Sequence, residues 1–339
     1  MFSRRPRASV VGMVILWLAA SPAQAAAPSG FACPDEEKTV EFGFYAHFEP
    51  VSYSAVRDPG ASGFDSHRGY EADLLSAVEA MKGARLSFSR RAIGAWKGIW
   101  LLPAGPRYDM VGGGITILDS RTRDEAGRTA IAFTAGHIEF RQSLLVRAED
   151  AARLARHRDL TGTDRVGVLA GTTGEARLLE LTGIADASGV LTAGTRVDTP
   201  NGTRVADGSA DYVINAAAAS PELAERRRLR PASDAMPVVA YFQEEPALIE
   251  ALAAGRIDAV AKGEIGNRAD ALAHGGSIVV TALDSRAETG GFALAAEDAA
   301  LAACLDRHIG WLTDGGRIGY REWLDDPSVF MRRARRAAP

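Results

Sequence analysis

Gly112-Gly113-Gly114-Ile115-Thr116-Ile117-Leu118-Asp119-Ser120-Arg121, followed by Ile131-Ala132-Phe133-Thr134, is the stretch on which the reading of this chain turns. It sets small residues and a hydroxyl at the end of an apolar run, with an arginine beyond them. Glycines let backbone N–H and C=O groups come close to a ligand, and a guanidinium offers a planar fork of donors that matches a carboxylate in two parallel bonds. The stretch therefore reads as the end of a buried strand equipped to hold a carboxylate, with Arg121 as the clamp.

Working outward, short apolar runs alternate with amphipathic ones, the pattern of parallel sheets with helices on both faces. Before the glycines the periodicity predicts a strand over 40–45, a helix over 70–81, a strand over 85–88, a helix over 96–102 ended by Pro103, and a strand over 108–111 that leads into the triple glycine. After Arg141 the pattern restarts, with a helix over 149–158, a strand over 165–169, a turn at Gly171-Thr172-Thr173-Gly174 and a helix over 175–181. Later come strand 238–241, helix 246–254, strand 257–261, helix 268–273 and strand 278–281. A strand over 291–295 and helices over 299–313 and 320–324 close the chain.

Between residues 184 and 237 the alternation breaks. Gly194-Thr195-Arg196-Val197 recurs as Gly202-Thr203-Arg204-Val205 around Asn201-Gly202, and Asn-Gly between β-prone runs is a strong hairpin signal. This predicts a two-stranded insertion followed by a polar helix around 222–228.

The chain begins with Arg4, Arg5 and Arg7 ahead of an apolar run over 10–20, then Ala23-Gln24-Ala25. That order reads as a secretory signal cleaved after Ala25, and the run is too short to span about 30 Å of bilayer. Cys33 lies too far downstream to act as a lipid-anchored mature end. With no later run of 18 apolar residues, the mature chain is expected to be soluble outside the cytoplasm. Three arginines leave with the signal, so the 39 basic residues fall to 36 against 43 acidic ones, a net charge of −7. A protein that tracks phosphates carries a basic excess, so nucleic acid is excluded as a partner, and Arg226-Arg227-Arg228 reads as a solvated run.

A mature length near 310 residues exceeds what one core usually supports, which predicts two lobes. The chain contains no G-x-S-x-G elbow, no phosphate-binding G-x-x-x-x-G-K-[ST] and no H-E-x-x-H, and its six histidines show no paired ligand spacing. The expectation is no catalytic residue, no metal and no cofactor. Two cysteines in an oxidising compartment form one disulfide or remain two thiols, and sequence separation alone does not decide.

A set of short motifs carries a resemblance. Phe44-Tyr45-x-x-Phe48-x-Pro50, Gly69-Tyr70-Glu71-Ala72-Asp73-Leu74, Trp96-Lys97-Gly98, Tyr108-Asp109, Gly114 through Arg121, Phe133-Thr134, Gly171-Thr172-Thr173-Gly174, Ala254 through Val260 and Gly315-Gly316 occur in one order and spacing. Together they resemble the periplasmic solute-binding proteins that serve polar amino-acid ABC importers. The resemblance implies an α/β, two-lobe periplasmic-binding-protein type 2 fold joined by two hinge strands. It places lobe 1 at 26–141 and 288–339 and lobe 2 at 142–287, with the hairpin insertion spanning 185–237. It further implies a monomer that delivers a small carboxylate-bearing, amino-acid-like ligand to a membrane permease.

Carried over residue by residue, the resemblance has Tyr45 and Phe48 line the cleft, Trp96 stack on the ligand, and Gly114 accept from its amine. Thr116 would add a hydroxyl, Arg121 would clamp the carboxylate, and Thr173 would meet the same anion at a helix start. The closing helices return to lobe 1 in this family, which brings Cys33 and Cys304 within reach of a disulfide. One departure stands out: where the family usually carries an aspartate for the ligand's ammonium, this chain has Gly263, preceded by Lys262. Either Glu264 supplies the acid, or the ring faces of Tyr45, Phe48 and Trp96 hold an alkylated or delocalised cation. Two other functions stay open, a non-transport periplasmic protein that docks through the insertion and, on the same fold, a cyclohexadienyl or arogenate dehydratase with its acid near 262–267.

Overall fold

The computed structural model describes Cys33 and residues 36–337, so the segment read as a cleaved signal lies outside the described residues. The chain enters as β1 (Lys38–Tyr45), whose last four residues are buried. A small antiparallel sheet follows, made of β2 (His47–Phe48), β3 (Ser52–Ser54) and β4 (His67–Arg68). Helix α1 (Tyr70–Ala80) packs its apolar face on the first core and leads to β5 (Leu86–Ile93), parallel to β1. Strand β6 (Met110–Thr116) lies on the other side of β1, and β7 (Ile131–Phe133) adds to the far edge through the last long strand.

Strand β8 (Ile138–Arg147) joins the two halves of the sheet. The second half contains β9 (Arg165–Leu169), α2 (Thr173–Leu181), β10 (Arg196–Thr199), β11 (Gly202–Val205), β12 (Arg228–Arg230), β13 (Val238–Phe242), α3 (Glu245–Ala253), β14 (Ala259–Gly263), α4 (Glu264–Ala273) and β15 (Ile278–Thr281). Strand β16 (Ala287–Ala295) returns to the first half, and α5 (Ala299–Leu312), α6 (Tyr320–Asp325) and α7 (Val329–Ala334) close the chain there. The strand order is β11-β10-β12-β13-β9-β14-β8-β16-β6-β1-β5. Within β8, residues 138–141 pair with β16 while residues 142–146 pair with β14, so one strand changes partner between Arg141 and Gln142. Two hydrophobic cores flank this exchange, one under β1, β6 and the closing helices and one under β9, β13 and β14, with a smaller cluster around α3.

Cys33 is joined by a disulfide to Cys304 of α5, with a Cα–Cα distance of 5.3 Å. No helix among the described residues is long and apolar enough to cross a membrane. Asn201-Gly202 turns β10 into β11, with Thr199 opposite Gly202.

Several elements differ from the sequence expectation, each for a local reason. The strand expected over 108–111 starts instead at Met110 and continues through the triple glycine to Thr116, all seven residues buried, where side chains pack so closely that a Cβ on any of the three glycines would collide with one. At Gly113, which has φ +136°, it would meet the Tyr45 side chain at 2.4 Å, and at Gly114 it would meet the Phe48 ring at the same distance. The helix expected over 96–102 is a short 3₁₀ turn, Ile99–Ala104, because Gly98 takes a left-handed φ of 73° and separates Trp96 from it. Over 149–158 only Leu154 is buried, so no apolar stripe supports a helix. Arg153 and Arg156 instead pair with Asp150, Asp164 and Asp159, holding a loop with two single turns. The polar helix around 222–228 is also absent: a turn at Pro221–Leu223 leads into β12, where buried Leu229 between exposed arginines has the period of a strand. Helix α4 starts at Glu264, four residues before the expected start, and α7 extends the closing helices by burying Phe330.

Candidate functional site

Parallel strands β1, β6, β9, β13 and β14 point their carboxyl ends at one place, where open α/β sheets bind ligands. A cavity lies there. Its first wall is Tyr45, Phe48, Trp96, Gly114, Thr116 and Phe140, and its second is Gln142, Leu169, Thr172, Thr173, Gly174, Glu245, Lys262 and Gly263. About 60 Å³ is open to the centres of water-sized atoms, room for about four to six of them at roughly 10–15 Å³ each. The aromatic wall is ordered by its own contacts. The Tyr45 and Trp96 rings meet edge to face at 5.1 Å, and the Trp96 indole donates to the Gly171 carbonyl at 3.1 Å.

The turn before α2 is built by its sequence. Thr172 is the N-cap, its hydroxyl accepting from Glu175 N at 3.1 Å, and Glu175 accepts from Gly171 N at 2.6 Å. This leaves the start of a nine-residue helix facing the cavity, a position that favours anions. The Thr173 hydroxyl accepts from Gln142 Nε2 at 3.0 Å and lies 3.4 Å from the Thr116 hydroxyl across the cleft. Thr116 in turn donates to Glu288 at 3.0 Å. Beneath β6, Gly114 N donates to the fully buried Glu71 at 2.9 Å, which also contacts His137 Nε2 at 3.1 Å.

Six of the eight residues read from the sequence line this cavity, and two do not. Arg121 is fully buried and its fork is spent on backbone: Nε donates to Ala216 O, Nη1 to Thr116 O and Nη2 to Gly171 O, each at 3.1 Å. Its guanidinium lies 4.3 Å from the centre of the Trp100 ring and 5.7 Å from that of Trp96. Burial pulls its pKa down from 12.5 to about 9, with Glu288 opposing. The Arg121 fork, expected to clamp a carboxylate, here joins three backbone carbonyls, that of Ala216 being brought within reach by the insertion. Glu264, the other residue outside this cavity, begins α4, faces an outer groove and pairs with Arg268 at 3.3 Å.

A carboxylate that the sequence reading did not single out lines the cavity, that of Glu245, the first residue of α3. Its carboxylate lies 3.7 Å from Lys262 Nζ, which is held by Asp270 at 2.5 Å. The side chains of Glu245 and Lys262 are 14% and 12% exposed. Burial raises Glu245 from 4.5 to about 7, Lys262 opposing it, while the two carboxylates outweigh burial at Lys262 and raise its ammonium. One signal in the sequence points to this residue: Glu245 precedes Pro246 at a helix start just after a strand, the same place in the topology as Thr172-Thr173.

No family model matches this chain, and no curated protein matches it. Solved structures do. The arginine-binding protein ArgBP from T. maritima in its holo form is 19% identical over 84% of this chain and 96% of its own, with a TM-score of 0.53. AbpA from Streptococcus pneumoniae, an amino-acid ABC transporter substrate-binding protein bound to L-arginine, is 14% identical over 87% of this chain and 95% of its own, with a TM-score of 0.56. AncCDT-1, an ancestral amino-acid-binding protein described as a precursor of cyclohexadienyl dehydratase, is 18% identical over 85% and 94%, with a TM-score of 0.55. The chain has the two-lobe periplasmic-binding-protein fold of these structures.

Proposed function

We propose that this chain is an extracytoplasmic solute-binding protein of the polar amino-acid ABC importer group, which encloses one small amino-acid-like ligand and passes it to a membrane permease. The observation that carries this reading is the cavity itself, lined from both halves of the molecule at the strand ends. Residues 26–141 with 288–339 would move as one lobe and 142–287 as the other, opening at β8 and the entry to β16 to admit the ligand. The ligand's carboxylate would lie at the start of α2, where Thr173, Gln142 and Thr116 already converge, and the aromatic wall would cover its body.

A thermal-shift screen of amino acids and related zwitterions tests the reading, because a ligand at 100 times its Kd adds about 2.7 kcal/mol to folding stability. No shift from any of them would overturn it. A second reading, a dehydratase-like enzyme, rests on Glu245: an acid with a pKa of about 7 inside the cavity is suited to proton transfer at neutral pH. Turnover of prephenate or arogenate would select that reading over a binder.

A further inference from the structure

Three side chains of the first half, Arg121, Trp96 and Lys97, reach across to the second, and the insertion supplies or braces every acceptor they find. Arg121 is held in its own half by its backbone N–H to Leu118 O at 3.0 Å, by Nη1 to Thr116 O at 3.1 Å and by the Trp100 ring of the first core. Across the seam its Nε donates to Ala216 O and its Nη2 to Gly171 O, and the Trp96 indole donates to the same Gly171 carbonyl, each at 3.1 Å. Ala216 lies on a tight turn of the insertion, where Asn215 Oδ1 accepts from Ala217 N at 2.9 Å and Ala218 N at 2.8 Å. Buried Ile214 and Leu223 root that turn in the second core. Gly171 is fixed through Glu175, which accepts from its N–H and from Arg226 of the insertion. At the rim Lys97 and Glu225, both exposed, approach to 3.5 Å.

Arg121, Lys97, Gly171, Ala216 and Glu225 do not line the cavity, so these contacts do not pass through a bound solute. The burial of the guanidinium is offset by carbonyl dipoles and two indole faces. An N–H or carbonyl pulled from its partner before water reaches it is left unsatisfied, which makes the first step of separation steep. We propose that the insertion is a clasp, which through the Ala216 and Gly171 carbonyls holds the two lobes together whether or not a solute is present, so that a solute enters only when the clasp releases. Asn215 acts as a positioning residue, aiming the Ala216 carbonyl at the guanidinium. A family-like hinge then carries a second control, built from a segment outside the alternating pattern of the rest of the chain.

The clasp rests on the solute-binding reading for what passes between the lobes, and the experiment separates the two. The mature chain is studied with no solute added. Small-angle X-ray scattering gives its radius of gyration, and NMR gives the exchange of the Trp96 Nε1–H proton with water. The original chain is expected to scatter as a compact molecule and to protect that proton. Arg121→Lys keeps the charge but loses the fork, and Asn215→Ala loosens the turn without touching the first half. Each is expected to enlarge the radius of gyration and to speed the indole exchange by about 10-fold or more. The double variant is no more open than the more open single one, because both act on one contact, whereas a general loss of stability would add. If Arg121→Lys fails to fold, Asn215→Ala carries the same test. Variants that scatter and exchange as the original does, effects that simply add, or an indole proton that exchanges in the original as fast as in an unfolded peptide would each overturn the clasp and leave the solute-binding reading standing. Variants that open as expected, with no solute found in the thermal-shift screen, would keep the clasp and sink that reading.

Discussion

Arg121 and Lys262 are partnered in opposite ways. Arg121 gives its donors to three backbone carbonyls, from β6, from the turn before α2 and from the insertion. Lys262 is met by two carboxylates, one more than its charge requires. Carbonyl dipoles carry no net charge and cannot be titrated, so the Arg121 region is a fixed joint between segments far apart in sequence. A cluster with an odd charge responds to protons and ligands, so the Lys262 region is the adjustable part of the cleft. The difference teaches that an arginine near a cleft is read from its partners and not from its place in a motif.

The largest effect is expected behind the Arg121 joint. Arg226 of the insertion donates to Glu175 at 2.5 Å with both side chains buried, and Glu175 in turn holds Gly171 N. Arg226→Ala leaves that carboxylate buried and unpaired, a loss of about 3 to 5 kcal/mol in urea unfolding. A loss below about 1 kcal/mol would mean that the insertion does not brace the turn. Next, Arg121→Ala strands three buried carbonyls and is expected to cost about 2 to 4 kcal/mol of stability without any ligand present. Unchanged stability with a collapse of ligand affinity would return Arg121 to the role of carboxylate clamp and break the comparison.

In the adjustable region the effect depends on pH. Glu245 has a folded pKa of about 7, above its ordinary 4.5. Its contribution to stability is therefore fully present below about pH 4.5 and is lost as pH rises through 7, a change of about 3 kcal/mol. Unfolding measured across this range should show a downward trend with rising pH that Glu245→Gln removes; parallel curves for the two proteins would show that Glu245 is not the titrating group. The smallest effect is at Trp96, where Trp96→Ala removes one ring face and the bond to Gly171 O, and is expected to weaken a cationic ligand by about 0.5 to 2 kcal/mol. A plain carboxylate losing as much would show that the ring acts by packing alone.

Much of the framework was legible in the chain because its signals are local. The β9 run 165–169, the Asn201-Gly202 hairpin and the turn at Gly171-Thr172-Thr173-Gly174 each depend on residues a few positions apart. The aromatic and threonine wall was legible in another way, since Tyr45, Phe48, Gly114 and Thr116 sit in short motifs whose resemblance to solute-binding proteins implied their place. Where the reading failed, as at 149–158, a polar run with one buried leucine lacked the stripe that would have held it as a helix.

By itself, then, the sequence determined the alternation of strands and helices, and its motifs, through their resemblance to a known family, implied a cleft at the strand ends and several of the side chains that line the cavity found there. Only the tertiary structure decided what the charged groups do there. Ala216 is 95 residues from Arg121, and Lys262 meets Glu245 across two elements whose approach no local pattern specifies. Secondary structure follows from periodicity along the chain, whereas the pairing of a buried charge follows from whichever partners folding brings within a few ångströms of it.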